Sequence, residues 1–161
     1  MVSIMNEALE LKVGLKVLEI GAGSGWHAST VAEIIAPSNR PKEEWGHLYT
    51  LEIIPELAAF ARRNVERAGY GDRITVICRD GSLGYPEESP YDRILVTAAA
   101  PSVPAPLIEQ LKAGGVMVIP VGTTSFYQTL KRIRKRDEEV LEENLGGVAF
   151  VPLRGKYGHR I

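Results

Sequence analysis

Short apolar runs bounded by glycine, proline and charge alternate along this chain with segments whose apolar residues recur every three or four positions. Met1–Leu11 places Ile4, Ala8 and Leu11 at helical spacing, with Asn6, Glu7 and Glu10 between them, and predicts a short amphipathic helix ending before Gly14. Lys16–Ile20 predicts a first strand. Trp26–Ala36, with Ala28, Val31, Ala32 and Ile35 on one face, predicts a helix. Pro37–Gly46 combines prolines, Ser38, Asn39 and charges, and reads as a loop. His47–Ile53 predicts the second strand. A helix opened by Pro55 follows, with Leu57, Ala61, Val65 and Ala68 on one face and a stop at Gly69. Arg73–Cys78 and Asp92–Thr97 predict strands three and four, Pro104–Leu111 a helix, and Val116–Val121 strand five. Phe126–Arg134 and Leu145–Leu153 predict two last strands around a charged turn, Lys135–Glu139.

Strands alternating with helices predict an α/β fold with a mostly parallel sheet and helices on both faces. The last two strands lack an intervening helix and predict an antiparallel pair. The 161 residues suit a single domain. Its expected parts are a leading helix (1–14), a cofactor-binding core (15–122) and a C-terminal hairpin and tail (123–161). With 19 Lys+Arg against 20 Asp+Glu, the net charge of −1 argues against a nucleic-acid or membrane-surface partner. The run Lys131–Glu139 reads as a solvated strand edge. No apolar run approaches the ~18 residues that span a bilayer, and Met1–Glu10 does not read as a secretory signal. The single cysteine, Cys78, excludes an internal disulfide and a four-cysteine zinc site, so no metal is expected. A reducing, cytoplasmic setting is the simplest expectation.

The chemistry concentrates at three strand ends. Strand one runs into Glu19-Ile20-Gly21-Ala22-Gly23-Ser24-Gly25 and then a helix. Glycines there allow positive φ and close ligand approach, and the helix start offers free N–H groups. The spacing G-x-G-x-G departs from the G-x-G-x-x-G of dinucleotide sites, which disfavours a nicotinamide oxidoreductase. An acidic residue two positions before the first glycine suits a cationic, phosphate-free ligand such as S-adenosylmethionine. Glu52 ends strand two, where a carboxylate accepts from ribose hydroxyls. Asp80 follows strand three, where a side chain can reach an adenine amino group, and Gly81 beside it permits close backbone approach.

Further stretches carry a resemblance. They are E-I-G-A-G-S-G-W (Glu19–Trp26), I-P-E-L-A (Ile54–Ala58), R-D-G-S-L-G-Y (Arg79–Tyr85) and P-Y-D-R-I-L-V-T-A-A-A-P (Pro90–Pro101). P-L-I-E-Q-L-K-A-G-G (Pro106–Gly115), V-I-P-V-G (Val118–Gly122) and G-G-V-A-F-V-P-L-R-G (Gly146–Gly155) complete them. Through these the chain resembles the protein-L-isoaspartate (D-aspartate) O-methyltransferases, a branch of the class I S-adenosylmethionine-dependent methyltransferases with a Rossmann-like fold. The glycine motif is common to many methyltransferases; D-G-S-x-G-Y, T-A-A-A-P and G-V-x-F-V-P-L are more particular to this family.

The resemblance implies S-adenosyl-L-methionine as cofactor, held by Glu19, Gly21, Ala22, Gly23, Ser24, Gly25, Glu52, Ile53, Asp80 and Gly81. It implies a substrate side formed by Thr97, Ala98, Ala99, Val151, Pro152 and Leu153, with Arg154 ending the stretch that flanks the peptide, and isoaspartyl peptides or proteins as partners of a monomer. The reaction implied is protein repair by methylation of the isoaspartyl α-carboxyl group. That group has a pKa of about 4 and is already ionised at neutral pH, so no general base is nominated. His27, His47 and His159 are scattered, and His27 is expected to pack or face solvent. Family members also carry an N-terminal segment with a T-I-S-x-P-H type stretch, which has no counterpart from Met1 onward. The alternatives are a non-catalytic or truncated S-adenosylmethionine-binding domain, and a class I methyltransferase with another small acceptor. A nucleobase acceptor is disfavoured, because Thr97–Pro101 stands where an Asn/Asp-Pro-Pro-aromatic stretch would.

Overall fold

A computed structural model describes residues 1–124 and 127–160. The elements in chain order are α1 (Val2–Ala8), β1 (Lys16–Ile20), α2 (Trp26–Ile35), β2 (His47–Glu52), α3 (Pro55–Arg67), β3 (Ile74–Cys78) and β4 (Tyr91–Val96). They continue with α4 (Ala105–Gln110), β5 (Leu111–Gly122), β6 (Gln128–Arg136) and β7 (Glu139–Val148). The seven strands form one sheet in the order β3-β2-β1-β4-β5-β6-β7. Strands β1 to β5 run parallel, and β6 and β7 each run antiparallel to the preceding strand. The expected architecture therefore holds. The order reverses between β1 and β4, and their carboxyl ends diverge there into loops that leave opposite faces.

Central parallel strands are buried on both sides and so lack polar alternation. Strand β1 shows this, with Val17 to Ile20 all buried. Val17, Leu48, Val76, Leu95 and Val118 face one cluster with α1, α2 and α3. Leu18, Ile20, Ile94, Val96 and Met117 face the other, covered by α4 and by loops. Three helices thus occupy one face and a single short one the other. All four residues assigned to the buried face of α2 are buried.

Three expectations shift. The buried face of α1 is Met5, Ala8 and Leu9, while Ile4 is 55% exposed. The helix is rotated about one residue from the expected stripe because three arginines hold its C-terminal end. Arg93 donates to the Leu9 and Glu10 carbonyls, Arg132 donates to the Ala8 carbonyl, and Arg134 pairs with the Glu10 carboxylate. In α3 the buried residues are Ala58, Ala61 and Val65, while Leu57 is 38% exposed at the cavity described below. The last strand is Glu139–Val148, not Leu145–Leu153, and the turn before it shrinks to Asp137–Glu138, with Asp137 at φ 51°. The start of the sixth strand at Phe126 lies outside the described residues.

The long Pro37–Gly46 loop folds back around one cation. The Arg73 guanidinium lies 4.4 Å from the Trp45 ring and 4.3 Å from the Tyr70 ring. It also donates to the Ala36 and Gly69 carbonyls. This closes the end of the sheet opposite the strand termini. Among the described residues no helix is long and apolar enough to cross a membrane.

Candidate active site

A cavity of about 380 Å³ opens at the carboxyl ends of the parallel strands, over the point where strand order reverses. Ligands bind at this place in open α/β sheets. Its floor is Ile20, Leu51 and Gly81; its far wall is Thr97, Ala98 and the tail residues Val151 to Arg154. Among the described residues that line it, two are ionisable, Glu52 and Arg154.

The glycine turn has a specific steric cause. Gly21 sits at φ +97°, and a Cβ there would lie 2.5 Å from Thr97 Oγ1. That hydroxyl donates to the Gly21 carbonyl at 2.7 Å and the Ile20 carbonyl at 3.1 Å, tying the end of β4 to the end of β1. Gly25, at φ +84°, caps α2 where a Cβ would press on α3 at 3.1 Å. The turn can therefore lie flat against both neighbours only with glycine at these positions.

Glu52 is 7% exposed at the end of β2. Its Oε1 accepts from the Gly23 N–H at 3.1 Å and its Oε2 from the Ile54 N–H at 3.3 Å. One carboxylate thus fixes the glycine turn to the start of α3. Each oxygen still has acceptor capacity toward the cavity.

Glu19 lies deeper. It is fully buried, and its Oε1 accepts from Thr50 Oγ1 at 2.5 Å. Its Oε2 has no hydrogen-bond partner among the described residues. Burial pushes the Glu19 carboxyl up to about 8; the Thr50 hydrogen bond opposes this and the nearby Glu52 charge adds to it. Asp80 also stands back from the cavity. Its Oδ1 accepts from the Ser82 N–H at 2.9 Å and the Ser82 hydroxyl at 2.7 Å, and its Oδ2 from the Lys156 N–H at 2.9 Å.

Of the expected cofactor residues, Gly21, Gly23, Glu52, Ile53 and Gly81 line the cavity. Glu19, Ala22, Ser24, Gly25 and Asp80 do not. Ser24 and Gly25 instead border a second groove, of about 450 Å³, with Trp26, Asn64 and Tyr70. Of the expected substrate-side residues, Thr97, Ala98, Val151, Pro152 and Leu153 line the cavity. Ala99 lies behind it, bridged to Pro152 in parallel register. Ile20, inside the Glu19–Gly25 stretch, and Arg154, at the end of the flanking stretch, line the cavity as well. The sequence reading missed Leu51, Ile54 and Leu57. Leu51 could have been found, since it stands beside Glu52 at the end of β2. His27 packs as expected, with Nε2 2.8 Å from Asn6 Oδ1, and burial lowers its pKa to about 4.

The protein-L-isoaspartate(D-aspartate) O-methyltransferase family model matches residues 1–158. A protein-L-isoaspartate O-methyltransferase of Hyperthermus butylicus is 58% identical over 160 residues, covering 99% of this chain and 66% of that protein. One from Korarchaeum cryptofilum is 52% identical, covering 98% and 72% respectively. The chain thus spans about two thirds of these relatives' length. Among solved structures, a protein-L-isoaspartate O-methyltransferase superposes with a TM-score of 0.86 at 31% identity, over 98% of this chain and 47% of that one. A Plasmodium falciparum protein of the same description, in complex with S-adenosyl-L-homocysteine, shares the fold with a TM-score of 0.79 at 24% identity, over 94% and 71%. Motif, topology and family match agree: the chain belongs to the protein-L-isoaspartate(D-aspartate) O-methyltransferase family.

Proposed function

We propose that this chain transfers the methyl group of S-adenosyl-L-methionine to the α-carboxyl group of L-isoaspartyl residues in damaged proteins. The observation that carries the reading is Glu52, a buried carboxylate at the end of β2 that holds the glycine turn through Gly23 and faces a largely apolar cavity. A carboxylate there accepts from the ribose hydroxyls of an adenosine-containing ligand, and the G-x-G-x-G spacing of the turn it holds, unlike the G-x-G-x-x-G of dinucleotide sites, favours a phosphate-free nucleoside cation. The Gly21 and Gly81 positions leave the backbone bare at the cavity floor, and the family match supplies the reaction class.

S-adenosyl-L-methionine supplies a methyl group already activated on a sulfonium. The residues of this chain then have binding, orientation and water exclusion to provide. Gly21, Gly23 and Glu52 form the cofactor side; Thr97 and Ala98 present a small, close-packed edge; Val151 to Leu153 cover it with apolar side chains. Orientation alone can lower a barrier by several kcal/mol. A peptide carboxylate needs no deprotonation near neutral pH. The histidines fit that requirement: His27 bonds Asn6 and His47 bonds Thr75, and no histidine lines the cavity. A cytoplasmic, monomeric repair enzyme acting without nucleic acid or membrane is the corresponding picture.

The test is methyl transfer from labelled S-adenosyl-L-methionine to a matched isoaspartyl and aspartyl peptide pair, together with S-adenosyl-L-homocysteine binding by calorimetry. Label on the isoaspartyl peptide alone is the expected result. Binding without label on either peptide would reduce the function to cofactor binding, and no binding at all would remove the reading.

A further inference from the structure

The turn after β3 carries Gly81 onto the cavity floor, and little apolar packing holds it there. Gly81 and Gly84 bring no side chain, and Leu83, the one apolar side chain between them, is 40% exposed. Asp80 anchors the start of the turn through Ser82, and the Gly84 N–H donates to the Gly81 carbonyl at 2.9 Å. The far end of the turn is held from another element. Gln110 closes α4, is 8% exposed and stands outside the cavity lining. Its Nε2 donates to the Leu83 carbonyl at 3.0 Å, and its Oε1 accepts from the Tyr85 N–H at 2.8 Å. Gly84 lies between these two contacts at φ +68°, and a Cβ there would fall 2.2 Å from Gln110 Oε1. The amide group therefore rests against bare backbone and grips the turn on either side of it.

We propose that Gln110 is a positioning residue for the cofactor: by clasping the Leu83 carbonyl and the Tyr85 N–H it sets the Asp80–Gly81 turn against the adenine end of the nucleoside. The inference rests on the proposed function for the identity of the ligand. The clasp itself stands on the hydrogen bonds. Its task calls for a neutral side chain that donates and accepts at once over this reach, which an amide does and a carboxylate or an apolar chain does not. The helix end that carries Gln110 is itself fixed. Leu107 and Leu111 are buried, and Lys135 Nζ, from β6, donates to the Ile108 and Leu111 carbonyls at 2.9 Å each. On the other side of the clasp the Tyr91 hydroxyl donates to the Tyr85 carbonyl. A Cβ on Gly81 would lie 2.5 Å from Ile20 Cγ2, so the turn sits as low on β1 as its backbone allows, and Gln110 holds it at that height.

The test uses two variants that open the clasp from opposite sides. Gln110→Met keeps the length of the side chain and removes the donor and the acceptor. Gly84→Ala leaves the amide in place and puts a methyl group into it, so it carries the test if Gln110→Met does not fold. Each is measured well below its own melting temperature, so that only folded protein is compared. Affinities for S-adenosyl-L-homocysteine and for adenosine alone are read by calorimetry, and the KM of each substrate by methyl transfer to an isoaspartyl peptide. Loss of two hydrogen bonds under the turn is expected to weaken both nucleosides about 10-fold and to raise the KM for S-adenosyl-L-methionine by the same factor. At saturating cofactor, kcat and the peptide KM are expected to change less than about 3-fold, because the acceptor side is built from β4 and the tail. A residue that only supported the fold would lower the melting temperature without this split. Adenosine affinity within about 2-fold of the parent in both variants would overturn the proposal. So would a loss confined to S-adenosyl-L-homocysteine, which would place the effect at the amino-acid end, or an equal loss for nucleoside and peptide. If the parent chain binds neither nucleoside, the proposed function fails and the positioning role fails with it; faster amide exchange at Tyr85 in the variants then shows the clasp as a purely structural contact.

Discussion

At the scale of single residues the site turns on which carboxylates face the cavity. Three acidic side chains stand near three strand ends, and the chemistry of each follows from its hydrogen bonds. Glu52 keeps free acceptor capacity at the cavity; Asp80 accepts from Ser82 and Lys156 beside it; Glu19 is sealed beneath the turn with Thr50. Removing the Glu52 carboxylate strands the Gly23 and Ile54 N–H groups and deletes the acceptor for a ribose. Hydrogen bonds to charged groups contribute about 1.5–3 kcal/mol each, so Glu52→Ala is expected to weaken S-adenosyl-L-homocysteine binding by about 10- to 100-fold. Titration calorimetry measures this, and unchanged affinity would sink the pocket assignment. The same three residues show what was legible. Sequence order placed all three at the right strand ends, because strand boundaries follow from the apolar runs. How each of them meets the cavity depends on Ser82, Lys156 and Thr50, two of them far along the chain from the residue they engage, and no local pattern encodes that.

Elements that make many local contacts were the legible ones. The four central strands and α2 follow from period and burial, and the structure changes only their ends. The errors fall where tertiary contacts override the local pattern. Strand β7 was displaced because four of its first six residues are polar (Glu139, Glu142, Glu143 and Asn144) and the other two, Val140 and Leu141, are exposed: as an edge strand it buries no residue fully, and its charges are matched across the pair. Lys131 meets Glu142, while Arg132 and Arg134 share Glu143. The apolar stretch around Phe150 looked like a strand because it grips Gln128 and covers the cavity. Helix α1 is the other case. It has no basic residue in its last turn, so cations from β4 and β6 complement its carbonyl end. Arg93 is buried and donates to Leu9 and Glu10, so Arg93→Met is expected to leave those carbonyls without donors and to cost about 2–4 kcal/mol. Amide exchange should localise the effect, with α1 losing protection before β1 and β4. Uniform loss over the sheet would show that α1 is not held by this contact.

The whole molecule carries opposing titrations that set its stability against pH. Burial of Glu19 raises its folded pKa to about 8 from an ordinary value near 4.5. Between those values the folded state holds a proton that the unfolded chain releases, so stability falls as pH rises, by at most about 1.4 kcal/mol per pH unit. Burial of His27 lowers its folded pKa to about 4 from 6.5. There the unfolded chain takes the proton first, so stability falls as pH drops from 6.5 toward 4. The Glu10 and Glu143 carboxylates, held low by hydrogen bonds to Arg132 and Arg134, add to the acid limb below about 4.5. Just below pH 6.5 burial of His47 acts in the same direction as that of His27, and both oppose Glu19. Above 6.5 the Glu19 effect continues until about 8. The chain is therefore expected to have its highest melting temperature near pH 6.5, with a shallow fall toward 4.5 and a decline from 6.5 to 8. Glu19→Gln removes the titrating group and keeps an acceptor for Thr50. Its melting temperature at any one pH can be lower, because the amide N–H groups inherit the place where Oε2 has no hydrogen-bond partner among the described residues. Its slope is the informative quantity. A flat profile between pH 6.5 and 8 in Glu19→Gln, beside a declining one in the parent, identifies the buried carboxyl as the source of the alkaline limb. Parallel slopes in the two proteins would mean that Glu19 is already ionised in the fold, with a counter-charge reaching it from the cavity side.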